Sequence, residues 1–174
     1  MIATEQLEAI LRKCRIIKEF ATLPDQILGY YYCDGNYYVI LINDRIRGDE
    51  RLYRCVLAEE IGHYRTTIGD ITPRKYMCYR DRLTVDKMEQ LALRWATDFI
   101  IPTDNLLNVI KKCKQPTIDF LVDEFQVTYG FMLQKLEFMS KQIASGTWTV
   151  KEVCTWATFR QYIFMKEYNR RCLL

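Results

Sequence analysis

Glu59, Glu60 and His63 fall within five residues of one another in the segment Val56-Leu57-Ala58-Glu59-Glu60-Ile61-Gly62-His63-Tyr64. On a helix, positions 59 and 63 stand one turn apart and face the same way. Two donors so spaced can grip one metal ion, and the residue after the first projects beside them toward water on that ion. Carboxylate oxygen and imidazole nitrogen are both ordinary zinc donors. His63 is the single histidine of the 174 residues, so any mechanism that needs a histidine pair is excluded.

The spacing is that of H-E-x-x-H peptidases, in which the glutamate is the general base, but here it reads E-E-x-x-H. Glu59 stands where the first histidine ligand would be, and Glu60 where the base would be. A catalytic site needs a third protein ligand and an open fourth position. Glu89 is the best candidate: it lies one turn before Ala92 and two before Ala96. A carboxylate beside an apolar stripe is costly to bury unpaired, and a cation compensates it. The small Ala face also lets two helices approach closely. Asp70, seven residues after His63, is a candidate outer partner or substitute ligand if the helix continues that far. Tyr64, Tyr76 and Tyr79 are candidate donors to an oxyanion, with Tyr64 beside the site. Cys55 reads as a buried free thiol.

V-L-A-E-E-I-G-H-Y, followed 26 residues after His63 by E-x-x-A-x-x-W-A-x-x-x-I-x-P, resembles the ImmA/IrrE family of metallo-endopeptidases over roughly residues 25–140. The resemblance implies a gluzincin-like peptidase of bacteria and their mobile elements or phages. Such proteins typically cut a partner repressor of the helix-turn-helix type. His63 and Glu89 would then be metal ligands and Glu60 the general base. Glu59 departs from the family's first histidine. With two carboxylates among three ligands, zinc is the expected ion, and the harder donor set also admits Mn or Fe. Two other readings stay open: a catalytically degenerate peptidase fold that binds its repressor partner without cleavage, and a nucleic-acid-binding protein.

The elements that must position these residues follow from the pattern. Thr4 opens a helix striped by Leu7, Ile10, Leu11, Cys14 and Ile17. GYYYC, Asp34-Gly35-Asn36 and YYVILI predict a β-hairpin. Residues 49–67 predict a helix with Tyr53, Leu57, Ile61 and Tyr64 on one side. A looser stretch follows, and Thr84 opens the ligand helix, striped by Val85, Met88, Ala92, Trp95 and Phe99 and ended before Pro102. Thr103 or Asp104 caps a short helix to about residue 113. Residues 117–140 hold two helices with helix-turn-helix spacing. Lys135 is the one Lys or Arg in 117–138, which argues against phosphate binding and for two helices packed on the core.

The expected fold is therefore α+β and zincin-like. A small antiparallel sheet packs on the metal-binding helix, and a helical C-terminal half follows. Residues 1–140 form one peptidase domain and 141–174 a basic, aromatic, helical extension. Hydrophobic residues at 49% and charged ones at 27% exclude a disordered chain. The net +3 resides in residues 147–174, where Trp156, Phe159 and Ile163 step at helical spacing and predict a docked helix. Seven cysteines with no C-x-x-C pair, no signal-like N-terminus and no long apolar run predict a cytoplasmic protein with reduced thiols and no membrane span.

Overall fold

The computed structural model describes residues 4–66, 79–114, 116–146 and 149–171, and the side chains of these ranges except 79–85, 150, 151, 162 and 164–171. Two compact units divide the chain, Met1–Ile100 and Ile101–Leu174. The first holds α1 (Thr4–Cys14), β1 (Ile16–Ala21), β2 (Gly29–Cys33), β3 (Tyr38–Asn43), α2 (Glu50–Thr66) and α3 (Tyr79–Ile100). The second holds α4 (Thr103–Lys112), α5 (Ile118–Phe125), α6 (Tyr129–Ala144) and α7 (Val150–Arg171). The fold is α+β.

α1 buries Leu7 and Leu11 and stops at Cys14. Arg15 takes a left-handed backbone, φ 55°, and turns the chain into a strand, so the helical stripe does not reach Ile17. Along β1 the period changes to two: Ile16 is buried and Ile17 is 45% exposed. The hairpin forms as its turn residues predict, with Asp34 Oδ1 accepting from the backbone N–H groups of Asn36 and Tyr37. The sheet is not wholly antiparallel. Its order is β1-β3-β2, with β2 antiparallel to β3 and β1 parallel to it, Ile16 opposite Tyr38. The reassignment of residues 16–21 from helix to strand supplies this parallel partner.

One face of the sheet, through Ile16, Tyr31, Ile40 and Ile42, joins the core with Leu57 and Ile61 of α2. Lys18 also points inward, where its ammonium lies 2.7 Å from Glu8 Oε1 and donates to Tyr53 Oη at 2.9 Å. This triad ties α1, β1 and α2 together. Buried Asn43 does the same for the loop before β2: its Nδ2 donates to the carbonyls of Leu23 and Ile27.

α3 starts at Tyr79, five residues before the expected Thr84, and among its described side chains the buried ones are Ala92, Ala96, Thr97 and Ile100. Trp95 and Phe99 instead stack on each other, 4.9 Å between centroids, at its partly exposed flank. The smallest side chains therefore face the core, which lets α2 come close.

In the second unit Pro102 occupies the N-cap of α4 without a side-chain bond, in place of the expected Thr103 or Asp104. Thr103 Oγ1 instead accepts from Lys135 Nζ at 2.9 Å, and Lys135 is fully buried. Thr117 and Thr128 cap α5 and α6 by accepting from Phe120 and Phe131 N–H. α7 is docked through Trp156 and Phe159, both buried. Among the described residues no helix is long and apolar enough to cross a membrane.

Candidate active site

α2 carries three of the predicted residues on one stretch and packs against α3 at an unusually short distance. A Cβ on Gly62 would lie 2.4 Å from the carbonyl oxygen of Ala92. Only a residue without a side chain permits that approach. It brings Glu89, one turn before Ala92, to His63: Nε2 donates to Oε2 at 3.2 Å. The Ala face thus does what its sequence position suggests. Glu89 itself is 46% exposed and stands at the rim rather than in the core.

His63 is held flat. Its ring stacks on Tyr31 of β2 with planes 11° apart, and its Nδ1 is buried without a hydrogen-bond partner. Burial favours its neutral form. The hydrogen bond to Glu89 and the charges of Glu60, Glu89 and Glu59 outweigh this and raise its pKa. Glu60 is buried against β2. A Cβ on Gly29 would fall 2.4 Å from Glu60 Oε1, and the backbone N–H of Tyr31 donates to the carboxylate. Burial pushes Glu60 up to about 8, and the charges of Glu59 and Glu89 add to the shift, against His63 and the Tyr31 N–H. Glu59 is raised too, first by burial and then by Glu89, with His63 opposing.

These groups line one cleft of about 590 Å3 with Gln26, Ile27, Leu28, Tyr30 and Val56. Among the described residues β2 is the outer strand of the sheet, and the cleft runs along it. Its lining is mostly apolar, with the titratable groups gathered at the α2–α3 side.

A metal is testable against this arrangement. Two ligand atoms on a tetrahedral zinc stand roughly 3.3 Å apart at bond lengths of about 2.0–2.1 Å. The His63–Glu89 separation of 3.2 Å is that edge as well as a hydrogen bond. Three carboxylates around one imidazole also leave the cleft short of positive charge, which a divalent cation supplies. The pair therefore fits a cation. Among the described residues, however, no three His, Cys, Asp or Glu side chains gather into a ready-made site. Glu59 shares the cleft with the pair.

Tyr64 does not line this cleft. Its ring meets Tyr38 edge-on at 4.9 Å, and its hydroxyl hydrogen-bonds Cys14. Cys55 is buried and forms no disulfide. Asp70 and Tyr76 lie outside the described residues, as does the Tyr79 side chain. The cleft's other wall, Gly29 and Tyr31, was missed in the sequence. The alternation of GYYYC puts residues 29, 31 and 33 on one face, which is the signal that could have found it.

The model of the IrrE N-terminal-like domain, Peptidase_M78, matches residues 15–137. Among solved structures, a Mycobacterium tuberculosis transcriptional regulator superposes with a TM-score of 0.53 at 17% identity, over 75% of this chain and 40% of that one. This likeness concerns the fold, and this chain spans less than half the length of that protein. No curated protein matches the chain.

Proposed function

The chain belongs to the family of IrrE N-terminal-like domains, a peptidase-like fold, and on that premise we propose that it is a metal-dependent endopeptidase acting on a protein partner. The observation that carries this reading is the convergence of His63, Glu89 and Glu60 in one cleft lined by β2, the outer strand among the described residues. Glu59, His63 and Glu89 hold one divalent ion, zinc in the first instance and Mn or Fe as the harder alternatives. The ion supplies Lewis acidity toward the scissile carbonyl and the attacking water.

The protein's own residues do the rest. An extended substrate segment lies along β2, whose outer backbone groups are its partners. Glu60 takes the water proton and returns it to the leaving amine. Burial raises this carboxyl's proton affinity, which suits a base, and a cation in the cleft would offset part of that rise and keep it ionised. Tyr31 keeps the His63 ring oriented by stacking. The substrate we propose is a helix-turn-helix repressor of a mobile element or phage, cut in the cytoplasm.

Zinc titration of the full chain by calorimetry, with metal analysis of the purified protein, tests the premise. One ion per chain, lost in His63→Ala, is expected; no stoichiometric metal after replenishment would sink the enzyme reading. Glu60→Gln should keep the ion and abolish cleavage of the partner, and unchanged cleavage removes Glu60 as base. Glu59→His should bind zinc at least as tightly if Glu59 is a ligand.

In a second reading, supported by the carboxylate at position 59 where the resembled family has its first histidine, the same cleft sequesters its repressor partner uncut. Partner binding that is equal with and without metal, and no product at any metal loading, would select it.

A further inference from the structure

The cleft has two chemically different ends. His63, Glu59, Glu60 and Glu89 stand at one, and Ile27, Leu28 and Val56 line the other. Two independent measures give their separation. Along α2, Val56 precedes His63 by seven residues, two turns on one face and about 10 Å of helical rise. Leu28, immediately before β2, precedes Tyr31 by three residues, about 10 Å of extended chain, and Tyr31 stacks on His63. The helix and the strand run side by side in the same direction: a Cβ on Gly29 would meet Val56 and Glu60, and the Tyr31 N–H reaches Glu60. The apolar end is fixed by hydrogen bonds. Ile27 N–H donates to the Pro24 carbonyl at 2.9 Å, and its own carbonyl accepts from Asn43 Nδ2 at 2.8 Å. The Leu28 carbonyl accepts from the Asn43 N–H at 2.9 Å. One buried asparagine of β3 thus holds both residues in advance, so little ordering is left to oppose binding. Val56 is buried, whereas Ile27 is 38% exposed, an aliphatic side chain held in place with part of its surface in water.

We propose that Ile27, Leu28 and Val56 form a subsite that seats one large aliphatic side chain of an extended substrate segment, about three residues from the bond placed at His63. This rests on the endopeptidase reading for the place of the cut, and it adds a rule by which the segment is chosen. A Leu or Ile seated there takes its own apolar surface and that of Ile27 out of water. A hydroxyl or an ammonium at the same position gains no partner from these three side chains and loses hydration. Among the described residues no Lys or Arg lines the cleft, and its three carboxylates belong to the other end. A cationic side chain is therefore drawn toward the carboxylates and away from the subsite. An apolar anchor, set back from the cut, decides which extended segment is held.

The test uses the full chain and labelled peptides of Ser, Thr and Ala that carry one Leu, moved along the peptide one position at a time. The same peptides with Ser or Lys in place of Leu are the controls. Binding is read by fluorescence anisotropy on Glu60→Gln, with and without zinc, and cleavage by mass spectrometry on the zinc-loaded wild type. Leu peptides should bind about tenfold tighter than the Ser and Lys peptides, and Ile27→Ser, built on Glu60→Gln, should erase that difference. An unchanged thermal midpoint on adding Ile27→Ser separates a lost anchor from a lost fold. The cut should move with Leu and stay about three residues from it. Leu-dependent binding with no cut at any zinc loading supports the subsite and removes the peptidase reading. Binding that does not favour Leu, a preference that survives Ile27→Ser, or a cut that ignores Leu would overturn the subsite, and a cut of any kind leaves the peptidase reading standing.

Discussion

Gly62→Ala is the sharpest perturbation of the candidate site, because the space it needs is occupied by backbone. The new methyl would sit 2.4 Å from Ala92 O, 2.9 Å from Ala92 C and 3.1 Å from Ala92 Cα. Ordinary contact begins at 3.4 Å, so the two helices must part by 3.4 − 2.4 = 1.0 Å at this point. No rotamer change relieves a main-chain clash, so the cost belongs at the upper end of overpacking, about 3 kcal/mol. For a chain of this size that is a fall of about 6–12 °C in the thermal midpoint. The same displacement would open the His63–Glu89 contact from 3.2 Å to about 4 Å, past hydrogen-bonding range. Zinc titration should then show weaker binding even at a temperature where the variant is fully folded. Adding Ala92→Gly supplies the discriminating control. It removes a methyl that is not among the clashing atoms, so it should not rescue Gly62→Ala. A wild-type midpoint for the single variant, or recovery in the double, would refute the close-approach argument.

The Glu8 carboxyl gives a pH prediction. Burial raises its pKa, but hydrogen bonds from Lys18 and Tyr53 and the charges of Lys18 and Arg12 outweigh this and hold it below 4.5. A depressed folded value means stability that is present above 4.5 and lost as pH falls through the folded value. Glu8→Gln should therefore be less stable by on the order of 1 kcal/mol at neutral pH and flatter with acid, as read by urea midpoints between about pH 3 and 6. Lys135, buried and bonded to Thr103, should tolerate Met far better than Ala: within about 1.5 kcal/mol against a loss of about 2–4 kcal/mol, by chemical denaturation. Equal losses would show that the ammonium bond, not the volume, is what matters. Gln126→Gly relieves the left-handed backbone of a non-glycine residue and should gain about 0.5–1 kcal/mol, even though Gln126 Nε2 gives up its bond to Asp123 O. A loss would mean that this side-chain bond outweighs the backbone term.

Much of the local structure was legible in order and type. The hairpin announced itself by Asp34-Gly35-Asn36 between aromatic runs, and α2, α5 and α6 by unbroken helical stripes with threonine caps on the latter two. The errors fall at changes of period. Ile17 continues the α1 stripe when counted at 3.6 residues, yet Arg15 breaks the helix and the same isoleucine faces outward from a strand. The start of α3 at Tyr79 was hidden because the sequence before it, Met77-Cys78, offers no residue of a capping type. Capping by Thr103 failed for a long-range reason: its hydroxyl serves a lysine 32 residues away.

The one-turn spacing of Glu59, Glu60 and His63 and the match of E-x-x-A to a closely packed helix are properties of sequence, since a helix fixes which residues share a face. What the sequence could not state is which of these carboxylates meets the imidazole. That was decided by a glycine–alanine contact between two helices, which brings Glu89 to His63 at 3.2 Å. The second wall of the cleft was likewise a tertiary decision. β2 lies at the sheet edge and presents Gly29 and the Tyr31 N–H to Glu60, so burial and a backbone donor set that carboxyl's proton affinity. Spacing along one helix is a local constraint, whereas distances between helices and burial by a strand arise only when the whole unit closes on its core.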